Sequence, residues 1–148
     1  MYARDEVHTL EQARLAGLGR ASRDLYQLLS ATNAAQPADL LRRLQCKRGG
    51  EVTLSTVHHG LLALMRAGLA HRVAHHGYVR CALGEAAHTP AFLVCEACGA
   101  AGEHDASGDI ARLRAVLGRR FVSPGAELVL SGICARCQGE RVSHLEAG

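Results

Sequence analysis

Four of the six cysteines form two pairs with the same spacing, "CEAC" at Cys95 to Cys98 and "CARC" at Cys134 to Cys137. A gap of two residues sets both sulfurs of a pair on one tight turn. Two such turns supply a closed, tetrahedral four-thiolate zinc site with Zn–S bonds near ~2.3 Å. A thioredoxin-like redox motif accounts for one CxxC and leaves the second unexplained. Disulfides need an oxidising compartment. The opening "MYARDEVHTLEQARLAGLG" has early acids and no apolar core of the kind a signal peptide carries, so the expected location is the cytoplasm, where thiols stay reduced. Structural zinc contributes about 10–16 kcal/mol in small peptides, comparable with the whole stability of a domain.

Cys46 and Cys81 remain. Cys46 closes a helical stretch and is expected to be a small buried hydrophobe. Cys81 falls in a strand-like run, with His71 on the run before it. His88 follows in the polar connector "GEAAHTP", and Glu103 comes shortly after the first CxxC. Two imidazoles, a thiolate and a carboxylate suffice for a second tetrahedral zinc site, this one spanning a hinge. Spacing alone does not select these four groups from a chain with nine histidines.

Positioning them falls to two sets of elements. In the first half, Thr9 to Leu18 reads as a marginal helix with Leu10, Ala13 and Leu18 on one side. "ASRDLYQLLSA" follows, with Ser22 as N-cap and Leu25, Leu28 and Leu29 at helical spacing. "QPADLLRRLQC" tolerates Pro37 in its first turn and buries Leu40, Leu41 and Leu44. After the break "KRGGE", a helix opens at Thr53 or Ser55 and closes at Gly68, with Val57, Leu61, Leu64 and Met65 as its core stripe. Strand-like "LAHRV" and "YVRCAL" flank "AHHG" and form a hairpin. Helices followed by a β-hairpin make a winged helix-turn-helix, whose last helix enters the major groove by its N-terminal end. Ser55, Thr56, His58 and His59 stand at that end, and the hairpin is expected beside the DNA backbone. The alternative is a small helical domain whose surface histidines touch nothing.

In the second half, the 35 residues between the CxxC pairs exceed a compact zinc ribbon. They accommodate "GDIARLRAVLGRR" as a helix and "ELVLSGI" as a strand, and "AFLVC" is an earlier strand. The expected unit is a small α/β domain in which zinc pins the last strand to the first. The fold class is therefore α+β: a winged-helix DNA-binding domain over 1–83, a hinge over 84–90 and an α/β dimerisation and metal-binding domain over 91–148.

Composition agrees with a globular protein, with hydrophobic residues at 48% and charged residues at 21%. No apolar run approaches the ~20 residues of a membrane span. That the chain has no Trp, two Phe and three Tyr argues against a stacking platform for single strands. Charge is uneven: residues 1–83 hold 11 Lys/Arg against 6 Asp/Glu, and residues 84–148 hold 6 against 8. A basic first half suits a nucleic-acid reader; Arg20, Arg66 and Arg72 are its candidate phosphate contacts.

From about Ser22 to Cys137 the chain resembles the ferric-uptake-regulator (Fur) superfamily, and within it the zinc uptake regulator (Zur) branch. "STVHHGLLALMRAGLAHRV" is similar to the family's TVYRxLxxLxxxGLxxxV helix and wing. "GYVRC", "AHTPAFLVCEACGAAGE" and "LSGICARC" carry the rest, and the CxxCG followed by GxCxxC is specific in this setting. "YVxC" with "HTxAF" favours the zinc branch, since the iron and peroxide branches usually carry a segment like "HHDH" there. The resemblance implies structural zinc on Cys95, Cys98, Cys134 and Cys137, and regulatory zinc on His71, Cys81, His88 and Glu103. It implies a cytoplasmic, homodimeric, zinc-dependent repressor of zinc uptake genes, bound to a palindromic double-stranded operator through Ser55, Thr56, His58, His59 and Arg66, with neither enzymatic activity nor a membrane partner. Three departures stand out. His58-His59 replaces the family's Tyr-Arg pair, "GRASRDL" stands where members usually have a Thr-Pro-x-Arg-like stretch, and the ending "GERVSHLEAG" lacks the frequent His/Cys-rich tail. The alternatives are a regulator of the same family that senses another metal or peroxide, and a zinc-buffering protein with weakened DNA binding. A third metal site has only His104 and Asp105 as pieces.

Overall fold

The computed structural model describes residues 3–84, 88–118 and 127–139. The chain divides into two compact units, Met1–Ala87 and His88–Gly148. Residues 85–87 of the expected hinge, the last two arginines of "GDIARLRAVLGRR" and the ending with His144 lie outside the described residues.

The first unit runs α1 (Ala3–Ala16), α2 (Arg20–Leu28), α3 (Pro37–Arg48), α4 (Leu54–Arg66), β1 (Ala70–Val73) and β2 (Gly77–Arg80). Its core joins Leu25 and Leu29 near α2, Leu40 and Leu44 of α3, and Val57, Leu61 and Leu64 of α4. Pro37 opens α3 in the first turn, where its missing N–H forfeits no intrahelical bond, and Gly49 closes it in the left-handed region at φ +60. Thr53 caps α4: its Oγ1 accepts the Thr56 N–H at 3.3 Å. Gly60 lets α2 and α4 approach closely, since a Cβ there would lie 2.5 Å from Leu25 Cδ1.

Several expectations about inward faces are corrected. α1 turns Leu15 inward and leaves Leu10 57% exposed. Ser22 is not an N-cap; α2 begins two residues earlier behind Gly19, and Ser22 is buried on the face that Gly60 approaches. Met65 sits at the edge of the α4 stripe, 36% exposed. Cys46 is exposed rather than buried, because Leu40 and Leu44 set the inward face of α3.

β1 and β2 pair antiparallel, with His71 opposite Val79 and Val73 opposite Gly77. The wing also has a third, unanticipated strand-like segment. Ala35 and Tyr78 exchange both backbone hydrogen bonds at 2.9 Å, and the Arg80 N–H donates to Ser30 O at 2.9 Å.

The second unit contains β3 (Pro90–Cys95), β4 (Ala101–Asp105), α5 (Ser107–Leu117) and β5 (Leu128–Gly132). The sheet order is β4-β3-β5, with β3 antiparallel to β4 and parallel to β5. First and last strands are thus neighbours, and Cys95 is level with Gly132. Phe92, Val94 and Ala101 are buried, as is Ile110 of α5. Among the described residues, no helix is long and apolar enough to cross a membrane.

Candidate functional site

The ends of β3 and β5 build the first candidate metal centre. Past Cys95 the chain makes a tight turn in which the Gly99 N–H donates to Cys95 O at 2.8 Å, with Gly99 at φ +73. Because β5 runs parallel to β3, the segment after Gly132 leaves the sheet at the same end. There the Glu96 N–H donates to Gly132 O at 2.8 Å. Residues 135–139 are helical, which brings Cys134 and Cys137 onto the opening turn.

The four sulfurs of Cys95, Cys98, Cys134 and Cys137 all lie within 4.8 Å of one another, and Cys98 Sγ is 3.8 Å from Cys134 Sγ. A tetrahedron with Zn–S bonds of ~2.3 Å has edges of ~3.8 Å, whereas a disulfide needs about 2.05 Å. The cluster therefore has the dimensions of a four-thiolate zinc site. Its electrostatics suit a cation as well. The Cys134 N–H donates to Cys95 Sγ at 3.3 Å; with the Cys98 N–H it lowers the Cys95 thiol to about 6, despite burial. Cys137 is pushed up to about 12 by the neighbouring Cys134 sulfur and by burial. One thiolate is thus ready at neutral pH, and a thiophilic dication bound there would displace the Cys137 proton. Negative charge at Cys98, then hydrogen bonding to it, hold the Arg136 guanidinium above its ordinary value.

The other four ligand candidates belong half to each unit. In the first, His71 on β1 and Cys81 just past β2 lie diagonally across the hairpin, since the Cys81 N–H donates to Leu69 O at 2.9 Å. Their ligand atoms are within 4.8 Å of each other. In the second, β4 places Glu103 level with Phe92 on the buried face of the sheet. His88 Nε2 meets Glu103 Oε1 at 2.7 Å, and the two side chains are 3% and 0% exposed. The His71–Cys81 and His88–Glu103 pairs each have the donor chemistry of half a zinc site. Asp105, considered for a third site, is otherwise engaged: the Ser107 hydroxyl and N–H donate to its carboxylate and hold it below its usual range.

α4 follows α3 across the short turn at 49–53, the arrangement of a helix-turn-helix. Ser55, His58, His59 and Arg66 are exposed on α4, and Thr56 is half-buried beside its cap. All five expected DNA contacts thus reach the surface of one helix. Leu54 and Leu62 on the same helix are exposed as well, each 43%; the helical period places Leu62 away from the core stripe.

Comparison with solved structures is decisive for the fold. A zinc uptake regulator complexed with zinc and DNA superposes with a TM-score of 0.81, over 96% of this chain and 99% of that one, at 23% identity. The chain has the zinc-uptake-regulator fold. Holo XcZur gives a TM-score of 0.75 at 24% identity, covering 93% of this chain and 99% of that one. The ferric uptake regulator of Francisella tularensis with iron is more distant, at 0.54 and 17% identity over 82% and 93%. No family model matches the chain, and no curated protein matches it. The resemblance seen in the motifs thus extends to a shared fold over nearly the whole chain.

Proposed function

We propose that this chain is a zinc-responsive, homodimeric transcriptional repressor that binds operator DNA when a second zinc site is filled. The observation that carries this reading is the coexistence, within a zinc-uptake-regulator fold, of a four-sulfur cluster with zinc dimensions and two further ligand pairs. Cys95, Cys98, Cys134 and Cys137 hold structural zinc and tie β5 to β3. His71, Cys81, His88 and Glu103 together take a regulatory zinc, which supplies a fixed tetrahedral link among ligands from both units. With four protein ligands, such a centre leaves no open position for water, so the reading is a regulator and not an enzyme. The one thiolate disfavours magnesium and manganese.

Regulation then follows from geometry. A dimer whose two DNA-reading helices sample many separations rarely matches the spacing of two half-sites. Cys81 and His71 grip from the wing, and His88 and Glu103 from the sheet unit. Zinc binding that favours the matching arrangement by about 5.5 kcal/mol shifts it from rare to dominant. Self-association is supported by apolar surface on the second unit: Leu93 and Leu130, level on adjacent strands, and Leu113, Val116 and Leu117 on α5. The chain works in the cytoplasm, on zinc uptake genes and a palindromic operator.

Metal analysis paired with a gel shift on the promoter of its own gene tests the reading. Two zincs per chain should fall to one on mild chelation, with DNA binding lost in step and restored by zinc. One zinc throughout, with DNA binding indifferent to chelator, would falsify the regulatory site. Iron in the purified protein would instead mark a different inducer. The exposed His58-His59 pair favours a second reading, a zinc-buffering protein that has lost its operator. In that case zinc exchanges normally and no duplex is shifted.

A further inference from the structure

Leu62 occupies a place on α4 that folding does not account for. Val57, Gly60, Leu61 and Leu64 point into the core. At about 100° per residue, the direction opposite them is shared by Ser55 and Arg66, with Leu62 and His59 about 30° to either side and His58 beyond Leu62. A leucine 43% exposed therefore stands within the outward face of the helix, bordered by a hydroxyl, two imidazoles and a guanidinium. Burial elsewhere in the chain does not require it, and a polar residue there would favour solubility.

We propose that Leu62 reads the C5-methyl of a thymine in each half of the bound duplex. This rests on the DNA-binding reading above. In the major groove, thymine is the one base that presents a methyl group, and an apolar side chain beside it discriminates without a hydrogen bond. Ser55, His58 and His59 precede Leu62 on the same face, so a helix entering by its N-terminus brings Leu62 to the groove floor behind them. The surroundings select a nucleic acid over an apolar protein partner. Arg66 lies one turn further along, and the first 83 residues carry 11 Lys/Arg against 6 Asp/Glu.

The test begins by selecting duplexes from a random-sequence library with the full-length, zinc-loaded protein. Each thymine of the selected site is then replaced by deoxyuridine, which removes only the methyl group. Expected is one position per half-site where deoxyuridine weakens wild-type binding about fourfold, the worth of one buried methyl. Leu62→Ala should bind the thymine duplex about fourfold more weakly and be indifferent to the replacement, whereas Leu62→Met should keep the sensitivity. Equal deoxyuridine effects on wild type and Leu62→Ala, or none in either, overturn the assignment. So does a Leu62→Ala protein with altered oligomeric state and unchanged base preference, which would make the patch a contact between copies. Failure to select any duplex overturns the DNA-binding reading itself, and the Leu62 assignment with it.

Discussion

At the scale of single residues, the two cysteine classes make opposite predictions. Cys95 anchors the end of β3, and its sulfur accepts the Cys134 N–H. Cys95→Ser therefore removes both a candidate zinc ligand and the link between the first and last strands, and should unfold or monomerise the protein, visible as a lost thermal transition or a smaller species in ultracentrifugation. Cys81→Ser lies outside that cluster. It should leave the folded dimer intact while zinc-dependent DNA binding disappears; a Cys81→Ser protein that binds DNA with normal zinc dependence would refute its role. The four-cysteine centre was readable from spacing, because two CxxC turns admit few other arrangements. The second set was not, because its members are far apart in sequence and its choice relied on family resemblance. Cys46 shows the opposite failure: hydrophobic chemistry suggested burial, but its angular position on α3 points it outward.

At the scale of elements, helices were legible wherever apolar residues recur at the helical period, as in α3 and α4. β4 was missed for a physical reason. Its sequence "AGEHD" lacks the alternation of a half-buried strand, because Glu103 takes an inward position and Gly102 an outward one. A carboxylate on the buried face erases the pattern that would reveal the strand. The bridge at Ala35 was equally silent, since one backbone pair leaves no side-chain signature. It makes a sharp prediction at Gly77, which sits at φ +112 with its would-be Cβ 2.4 Å from Ala35 O. Gly77→Ala combines an unfavourable backbone conformation with a clash against backbone that cannot rotate away. The expected cost is about 2–3 kcal/mol, read as a lower midpoint in urea. Gly60→Ala should cost less, because the obstacle is the end of the Leu25 side chain and alanine recovers up to ~1 kcal/mol of helix propensity.

At the scale of the whole molecule, the uneven charge becomes a measurable slope. Six of the eight candidate zinc ligands sit in the second half, where acids slightly outnumber bases, so the excess of cations falls where α4 and the wing reside. Arg20, Arg66 and Arg72 are all exposed. If each neutralises one phosphate, a dimer releases about six phosphates' worth of counterions, and affinity should fall roughly a thousandfold between 50 and 200 mM salt. Arg66→Gln should then weaken binding at low salt and reduce the log–log slope by about two per dimer, without changing which duplex is preferred. His59→Ala should do the reverse, relaxing base preference and leaving the slope nearly intact. A wild-type affinity that barely responds to salt would mean that the basic first unit is only a solvated surface. The zinc-dependent step would then have to act on some partner other than DNA.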